Sequence, residues 1–374
     1  RPLSQMKILD FSTLLPGPYA TLLLADMGAD VLRVEHPSRP DLTRKLPPMV
    51  DEDSATHHYL NRNKKSVALD LKEPGSVDIV KKLVLEYDIV IEQFRPGVMA
   101  RLGLDYDSLK LVNPRIIYCS ITGYGQTGPY RDRAGHDINY LAVAGAASYT
   151  GRKNDGPLPL GLQVADIAGG SHHAVMAVLA AEIQRRTDGI GQYIDISMTD
   201  AAFALNGMAG ANGMASGRDP DYEGELLNGA SFYDHYPTAD GRYMSIGALE
   251  PKFISNLAEV LNEPALLGLA DYNDRRKQQQ LKTLLKEIIA RRSYDHWCAV
   301  FAHKDCCVEP VLTITEAADH PQMTARDMVV DYVTDQGVSL KQMACPIKFS
   351  ASKQPAPSPA PATGRDQEIL SRLL

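Results

Sequence analysis

Three side chains stand out for what they could do to a proton. His136 lies in Ala134-Gly-His-Asp-Ile-Asn-Tyr140, behind a Gly/Pro-rich loop. Asp166 lies in Val164-Ala-Asp-Ile-Ala-Gly-Gly170, just ahead of a long helical pattern, and Glu250 follows a strand pattern in Gly247-Ala-Leu-Glu-Pro-Lys-Phe253. A neutral imidazole, with an ordinary pKa of about 6.5, and a carboxyl group raised by burial can both exchange protons near neutrality. A carboxylate is also a nucleophile, able to form an acyl adduct and then release it. Each residue has a plain structural use as well: Asp166 as a helix cap, Glu250 as a capping or surface acid, His136 as a loop residue.

Other chemistries leave no trace. The chain has no G-x-S-x-G, no H-E-x-x-H and no G-x-x-x-x-G-K-[ST]. Gly123-Tyr-Gly-Gln-Thr-Gly128 fits G-x-G-x-x-G but runs into Pro129-Tyr-Arg-Asp-Arg rather than a helix, and no acid follows at the spacing a ribose needs. Nicotinamide and flavin binding are therefore not expected. His172-His173 reads as helix surface or packing, since no carboxylate or Cys stands nearby at ligand spacing; no metal and no separate cofactor are expected.

Composition bounds what can hold these groups. The chain has 374 residues, 44% hydrophobic and 23% charged, which excludes disorder as the dominant state and suffices for two domains, or one large domain with an insertion. A net charge of −7 argues against a general nucleic-acid binder. No apolar run reaches bilayer length. The chain opens at Arg1 without a signal pattern, and its five cysteines, Cys119, Cys298, Cys306, Cys307 and Cys345, are odd in number and contain no C-x-x-C. That usage fits a reducing compartment, so the expectation is cytoplasmic.

The elements that must position the three side chains follow from periodicity. Lys7–Phe11, Asp30–Glu35, Ser66–Leu71, Asp88–Phe94 and Arg115–Thr122 read as strands, with helices over Pro16–Met27 and Gly75–Glu86 between them. This alternation predicts an α/β architecture with a doubly wound parallel sheet. A helix over Gly170–Arg186 and a strand over Gln192–Met198 follow. Residues 203–230, rich in Gly, Ala, Asn and Met, read as connecting chain. Phe232–Leu249 reads as a hairpin turning at Asp240-Gly241, then come helices at 251–262 and 276–303 and an apolar run, Val308–Ile314. Ala351–Thr363, dense in Pro, Ala and Ser, predicts an extended surface segment ahead of a short helix, Arg365–Leu374. The domain reading is 1–200 as a large domain completed by 330–374, a linker over 201–225, and a smaller α+β domain over 226–325.

Several blocks together resemble the class III (CaiB/BaiF-type) CoA transferase and α-methylacyl-CoA racemase superfamily. They are Ile8-Leu-Asp-Phe-Ser, Leu15-Pro-Gly-Pro-Tyr-Ala20, Leu24-Ala-Asp-Met-Gly-Ala-Asp-Val-Leu-Arg-Val-Glu35, Asn61-Arg-Asn-Lys-Lys-Ser-Val-Ala-Leu-Asp-Leu71, Phe94-Arg-Pro-Gly-Val98 and Gly123-Tyr-Gly-Gln-Thr-Gly-Pro129. The resemblance runs along nearly the whole chain. It implies a Rossmann-like large domain built from both chain ends, an inserted smaller domain, and an interlocked homodimer whose active site lies where one subunit's large domain meets the other's small domain.

The resemblance also implies roles. Transferases use an Asp at the position of Asp166 as a nucleophile, through a mixed anhydride and an aspartyl-CoA thioester. Racemases pair it with the His of a G-H-D-x-N-Y motif, present here as Gly135-His-Asp-Ile-Asn-Tyr140, with an acid at the position of Glu250 holding the imidazole. The racemase-like reading is an acyl-CoA racemase or epimerase inverting the α-carbon of a 2-methyl-branched thioester, with CoA as part of the substrate. The alternative is CoA transfer between carboxylic acids. Inversion needs a base and an acid on opposite faces of the carbon, and polarised backbone N–H groups after Asp166 are the expected enolate donors. CoA contacts are expected at Arg33, Arg62, Lys64, Lys65 and Arg95. Leu162 stands where racemases tend to have Asn.

Overall fold

Six short runs rich in Val, Ile and Tyr become one parallel sheet in the computed structural model, which describes residues 1–352 and 355–373. They are β1 (Lys7–Asp10), β2 (Asp30–Glu35), β3 (Lys65–Ala68), β4 (Ile89–Glu92), β5 (Ile117–Thr122) and β6 (Tyr193–Ser197). Their order across the sheet is β6-β5-β4-β1-β2-β3, all pairs parallel. The chain thus starts in the middle and winds outward in both directions, reversing between β1 and β4, and ligands of such sheets bind outside the carboxyl ends at that reversal. Every residue of β4 and β5 is buried, as expected for strands covered on both faces.

The described chain divides into two compact units. The first, residues 1–144, 160–205 and 321–374, holds the sheet; the second holds 145–159 and 206–320. The core of the first includes Leu9, Leu32, Val90 and Tyr118. The second has a three-stranded antiparallel sheet, Asp234–Pro237, Tyr243–Ile246 and Val308–Pro310, over helices Pro251–Val260, Arg275–Ile289 and Tyr294–Phe301. Within it Trp297 stacks on Phe301 and donates its indole N–H to the Ile289 carbonyl at 2.7 Å. Among the described residues no helix is long and apolar enough to cross a membrane.

Several elements differ from their sequence patterns. The connecting segment expected over 203–230 contains a helix, Gly207–Ser216. The helix expected over 276–303 is two, because Ser293 caps a new start by accepting the His296 N–H. Residues 145–159 and 206–225 join the second unit rather than the large domain and a linker. The segment expected on the surface at 351–363 is partly internal: Ala360 is buried and donates its N–H to the Tyr332 hydroxyl, and the Pro361 carbonyl accepts from Arg44. Lys353, Gln354 and Leu374 lie outside the described residues. Of the terminal helix, Glu368–Ser371 is formed. A hairpin that the sequence pattern did not reveal, Val329–Val333 with Ser339–Met343, lies in the first unit.

The loop after β1 is held from several sides. Asp10 accepts the Ser12 N–H at 2.8 Å and the Thr21 hydroxyl at 2.6 Å, tying loop to the helix Pro16–Asp26, α1. Leu14 has φ 62°, a conformation costly for a branched side chain, and the Asp41 carboxylate holds it by accepting its N–H at 3.1 Å. Gly17 sits so close to this loop that a Cβ would lie 2.2 Å from Ser12 Cβ, while its N–H goes to Gln93 beyond β4. Replacing Gly17 by Ala is expected to lower unfolding free energy by about 1–3 kcal/mol through overpacking, read as a lower urea midpoint at unchanged slope.

Candidate active site

The G-H-D-x-N-Y segment is explained residue by residue. Tyr140 donates its hydroxyl to the Gly135 carbonyl, and its ring fills the space a Cβ would need at Gly123 (2.4 Å) or Gly135 (2.6 Å). Those two glycines therefore admit the ring that fixes the segment. Asn139 reaches back to accept the His136 N–H at 3.0 Å, capping the helix Asp137–Val143. With its backbone spent on the cap, His136 carries an exposed imidazole at the helix start.

Asp137 faces the other way. Its carboxylate accepts the Asp166 N–H at 3.0 Å and so holds two chain turns side by side. Asp166 begins a π-helical stretch, Ala165–His172, that continues as the α-helix His173–Asp188. The wider turn brings Gly169 and Gly170 against their neighbours: a Cβ on Gly170 would lie 3.2 Å from Pro16 Cβ, and Ser171 donates to the Pro16 carbonyl at 2.6 Å. The Asp166 side chain is half-buried. Burial, and next the negative charge of Asp137, push it up to about 7.

His136 and Asp166 are thus brought together through Asp137, all within the first unit. Glu250 belongs to the second unit. It precedes the helix Pro251–Val260, but its carboxylate makes no capping bond and its side chain is exposed. Leu162 is also exposed. The backbone donors expected after Asp166 are already engaged, because the Asp166 N–H goes to Asp137 and the Ile167 N–H to the Gln163 carbonyl. Among the described residues no partner is seen for the N–H groups of Asp137 and Ile138 beside His136, which a first helical turn leaves without intrahelical partners. His173 gives its ring to the Ala168 carbonyl and His172 lies against Tyr19. Among the described residues no His/Cys/Asp/Glu cluster suits a metal.

The five cations expected at phosphates fall into two sets. Arg33, Arg62 and Lys64 are internal, each no more than 2% exposed. Arg33 pairs with Asp41 at 3.2 Å and reaches the Ser12 carbonyl, and Arg62 pairs with Asp26 at 2.7 Å. Lys64 donates to Thr21 and to the Pro18 carbonyl at 2.8 Å, and burial pushes it down to about 7. In the folded chain Arg33 and Lys64 brace the loop after β1 and the helix that follows it, while Arg62 ties Asp26 to the Met343 carbonyl. Lys65 is half-exposed and pairs with Asp30, and Arg95 is exposed.

A cavity of about 350 Å³ opens at the carboxyl ends of β1 to β4, with Phe11, Leu71, Phe94 and Val98 as apolar walls and Arg39 and Lys72 exposed at its rim. These two cations escaped the sequence reading, although they stand just past β2 and β3, where the strand-end rule for doubly wound sheets points.

The raised carboxyl at residue 166 has a thermodynamic signature. In the folded chain its ionised form is disfavoured, so the penalty is absent below about pH 4, where both states are protonated, grows through the interval, and is complete above about pH 7. Asp166→Asn is therefore expected to be more stable than the parent by about 2–4 kcal/mol at pH 8, after discounting for partial exposure, and near-equal at pH 4, measured by urea unfolding.

Known proteins resemble this chain over nearly its whole length. Residues 3–367 match the family described as CoA-transferase family III. The chain is 35% identical to a succinate–glutarate CoA-transferase of Agrobacterium fabrum over all of this chain and 96% of that one. It is 32% identical to an α-methylacyl-CoA racemase of Mus musculus over 98% of this chain and 87% of that one. A crystal structure of a CAIB/BAIF family protein from Brucella suis superposes with TM-score 0.86 at 32% identity, covering 100% of this chain and 99% of that one. The chain belongs to CoA-transferase family III, within the superfamily that holds both the transferases and the α-methylacyl-CoA racemases.

Proposed function

We propose that this enzyme is an acyl-CoA racemase or epimerase that inverts the α-carbon of a 2-methyl-branched thioester by two-base proton transfer. The observation that carries the reading is the Asp166 carboxyl, raised to about 7 by burial and bonded through its N–H to the residue that follows His136. A carboxyl near 7 is populated in both protonation states at neutrality, so it serves as acid in one direction and base in the other. A nucleophilic carboxylate works best fully ionised, which this environment opposes. His136 supplies the opposing group, and Glu250 orients the imidazole and stabilises its charged form. The Asp137 and Ile138 N–H groups are the donors for the enolate oxygen.

The CoA nucleotide occupies the crevice at the carboxyl ends of β1 to β4, with Arg39 and Lys72 supplying charge in place of the enclosed Arg33, Arg62 and Lys64. Binding energy from this remote handle holds the reacting carbon between the two bases. The protein acts in the cytoplasm as an interlocked homodimer. A second copy is supported by the helix Gly207–Ser216, which has no buried residue of its own and exposes Met208 and Met214. CoA transfer through Asp166 is the second reading, favoured by the 35% identity to a transferase over the whole chain and by the apolar Leu162.

Deuterium exchange at C2 of a 2-methylacyl-CoA, without a second carboxylic acid, separates the two. The expected result is exchange in the parent, lowered about 10²–10⁴-fold in His136→Ala and in Asp166→Asn. Absence of exchange, with CoA moving to an added acid and a trapped adduct on Asp166, would establish the transferase instead. Asp137→Asn keeps an acceptor for the Asp166 N–H but removes a negative charge, so Asp166 becomes a stronger acid. In that variant the acidic limb of the pH–rate profile is expected to move to lower pH for the direction in which Asp166 is the base. An unmoved limb would assign that limb to another group.

A further inference from the structure

The turn after β2 is closed by a side chain. His36 Nδ1 accepts the Ser38 and Arg39 N–H groups, both at 3.1 Å, and its Nε2 lies 3.1 Å from the Asp70 carboxylate. Asp70 also accepts the Lys72 N–H at 3.0 Å. The pairing of β2 with β3 ends at Glu35 beside Ala68, and the Leu69 N–H goes to the Glu35 carbonyl, which brings His36 and Asp70 together. One His–Asp pair thus holds the backbone of both exposed cations at the rim of the cavity of about 350 Å³, and all four residues line it.

These bonds dictate where the ring carries its proton. A nitrogen that accepts from two N–H groups has no hydrogen of its own, so the imidazole is neutral and donates from Nε2 to Asp70. A second proton would turn Nδ1 into a donor facing two donors. The contact with Asp70 would then gain charge, but the turn that carries Arg39 would lose its acceptor. The other charged groups lining the cavity are Glu35, Arg39 and Asp41 on the segment of His36, and Lys72 beside Asp70; the walls from Phe11, Thr13, Phe94, Val98 and Leu102 bring none. Glu35 is engaged by Arg44 and Asp41 by Arg33, which leaves Asp70 as the carboxylate that meets the ring.

We propose that His36 and Asp70 are a positioning pair for the nucleotide of the acyl-CoA, presenting Arg39 and Lys72 to its phosphates only while the His36 ring is neutral, so that coenzyme A and a proton on His36 compete. The proposal rests on the reading of this cavity as the nucleotide crevice. The pair acts through the backbone at 39 and 72, because both ring nitrogens are already spent within the protein. A turn without its acceptor has to be ordered by the ligand, and that ordering weakens affinity.

The test is calorimetric titration of the full chain with dephospho-coenzyme A at about pH 8 and about pH 5.5, at constant ionic strength. This ligand lacks the phosphate monoester, whose own second proton leaves at about pH 6. The parent is expected to bind about tenfold more weakly at the lower pH. His36→Ala is expected to bind about tenfold more weakly than the parent already at the higher pH, with no further fall, and Asp70→Ala to weaken binding as well. In His36→Asn the amide oxygen still accepts N–H groups further along the turn but does not titrate. That variant is expected to stay within about threefold of the parent at the higher pH and to lose the pH response. An equal pH response in the parent and His36→Asn, or tighter binding of the parent at the lower pH, would overturn the proposal. So would unchanged affinity in His36→Ala or Asp70→Ala while an Arg39→Ala/Lys72→Ala double variant binds at least about tenfold more weakly, which would leave the crevice reading standing. Unchanged affinity in that double variant would overturn the crevice reading, and the proposal with it.

Discussion

The bond from the Asp166 N–H to the Asp137 carboxylate joins two segments that are otherwise far apart in the chain, and both carry a candidate proton-transfer group. It acts twice. As a hydrogen bond to a charged acceptor it fixes the start of the π-helical turn relative to the helix that His136 caps. As a nearby negative charge it adds to burial in keeping the Asp166 carboxyl near 7. Position and acidity are therefore set by one side chain. Loss of Asp137 would alter both together, whereas an amide at that position would alter the second and retain the first.

A second constraint lies beneath the ligand edge of the sheet. Asp10, Arg33, Asp41, Lys64 and Thr21 form a buried polar lattice whose members brace one another. Burying this much charge is expensive unless each group is paired, and removing one partner leaves another uncompensated. What the lattice supplies is a loop after β1 held in a strained conformation at Leu14 and pressed against Gly17, so that the start of α1 can meet Ser171 of the π-helical stretch. The same lattice encloses Arg33 and Lys64. Arg39 and Lys72, one step outside it, keep their charge at the surface.

The sheet was legible in the sequence because its strands are continuous apolar runs separated by helical spacing; β1, β2 and the start of α1 at Pro16 lie where the pattern puts them. His136 and Asp166 were legible as chemical types, and their shared bond follows from neither periodicity nor spacing, since Asp137 could as well have capped its own helix. The enclosure of Arg33 and Lys64 was not legible for a related reason: a cation reads the same in a sequence whether a carboxylate encloses it or water does. The helix at 207–216 escaped because Gly-rich composition argues against local helicity. The hairpin at 329–343 has too little alternation between apolar and polar residues to announce itself.

Racemisation and CoA transfer begin from one arrangement, an acidic side chain beside a thioester held by a remote nucleotide handle. What separates them is the state of that side chain and the company it keeps. An ionised carboxylate with an open approach to the carbonyl carbon attacks it, and a carboxyl that spends half its time protonated, opposite an imidazole, passes a proton to the α-carbon instead. The burial around Asp166 and the charge of Asp137 both push toward the second state. The imidazole of His136 is exposed, and under the proposed racemisation it is the second group that inversion needs and that transfer does without.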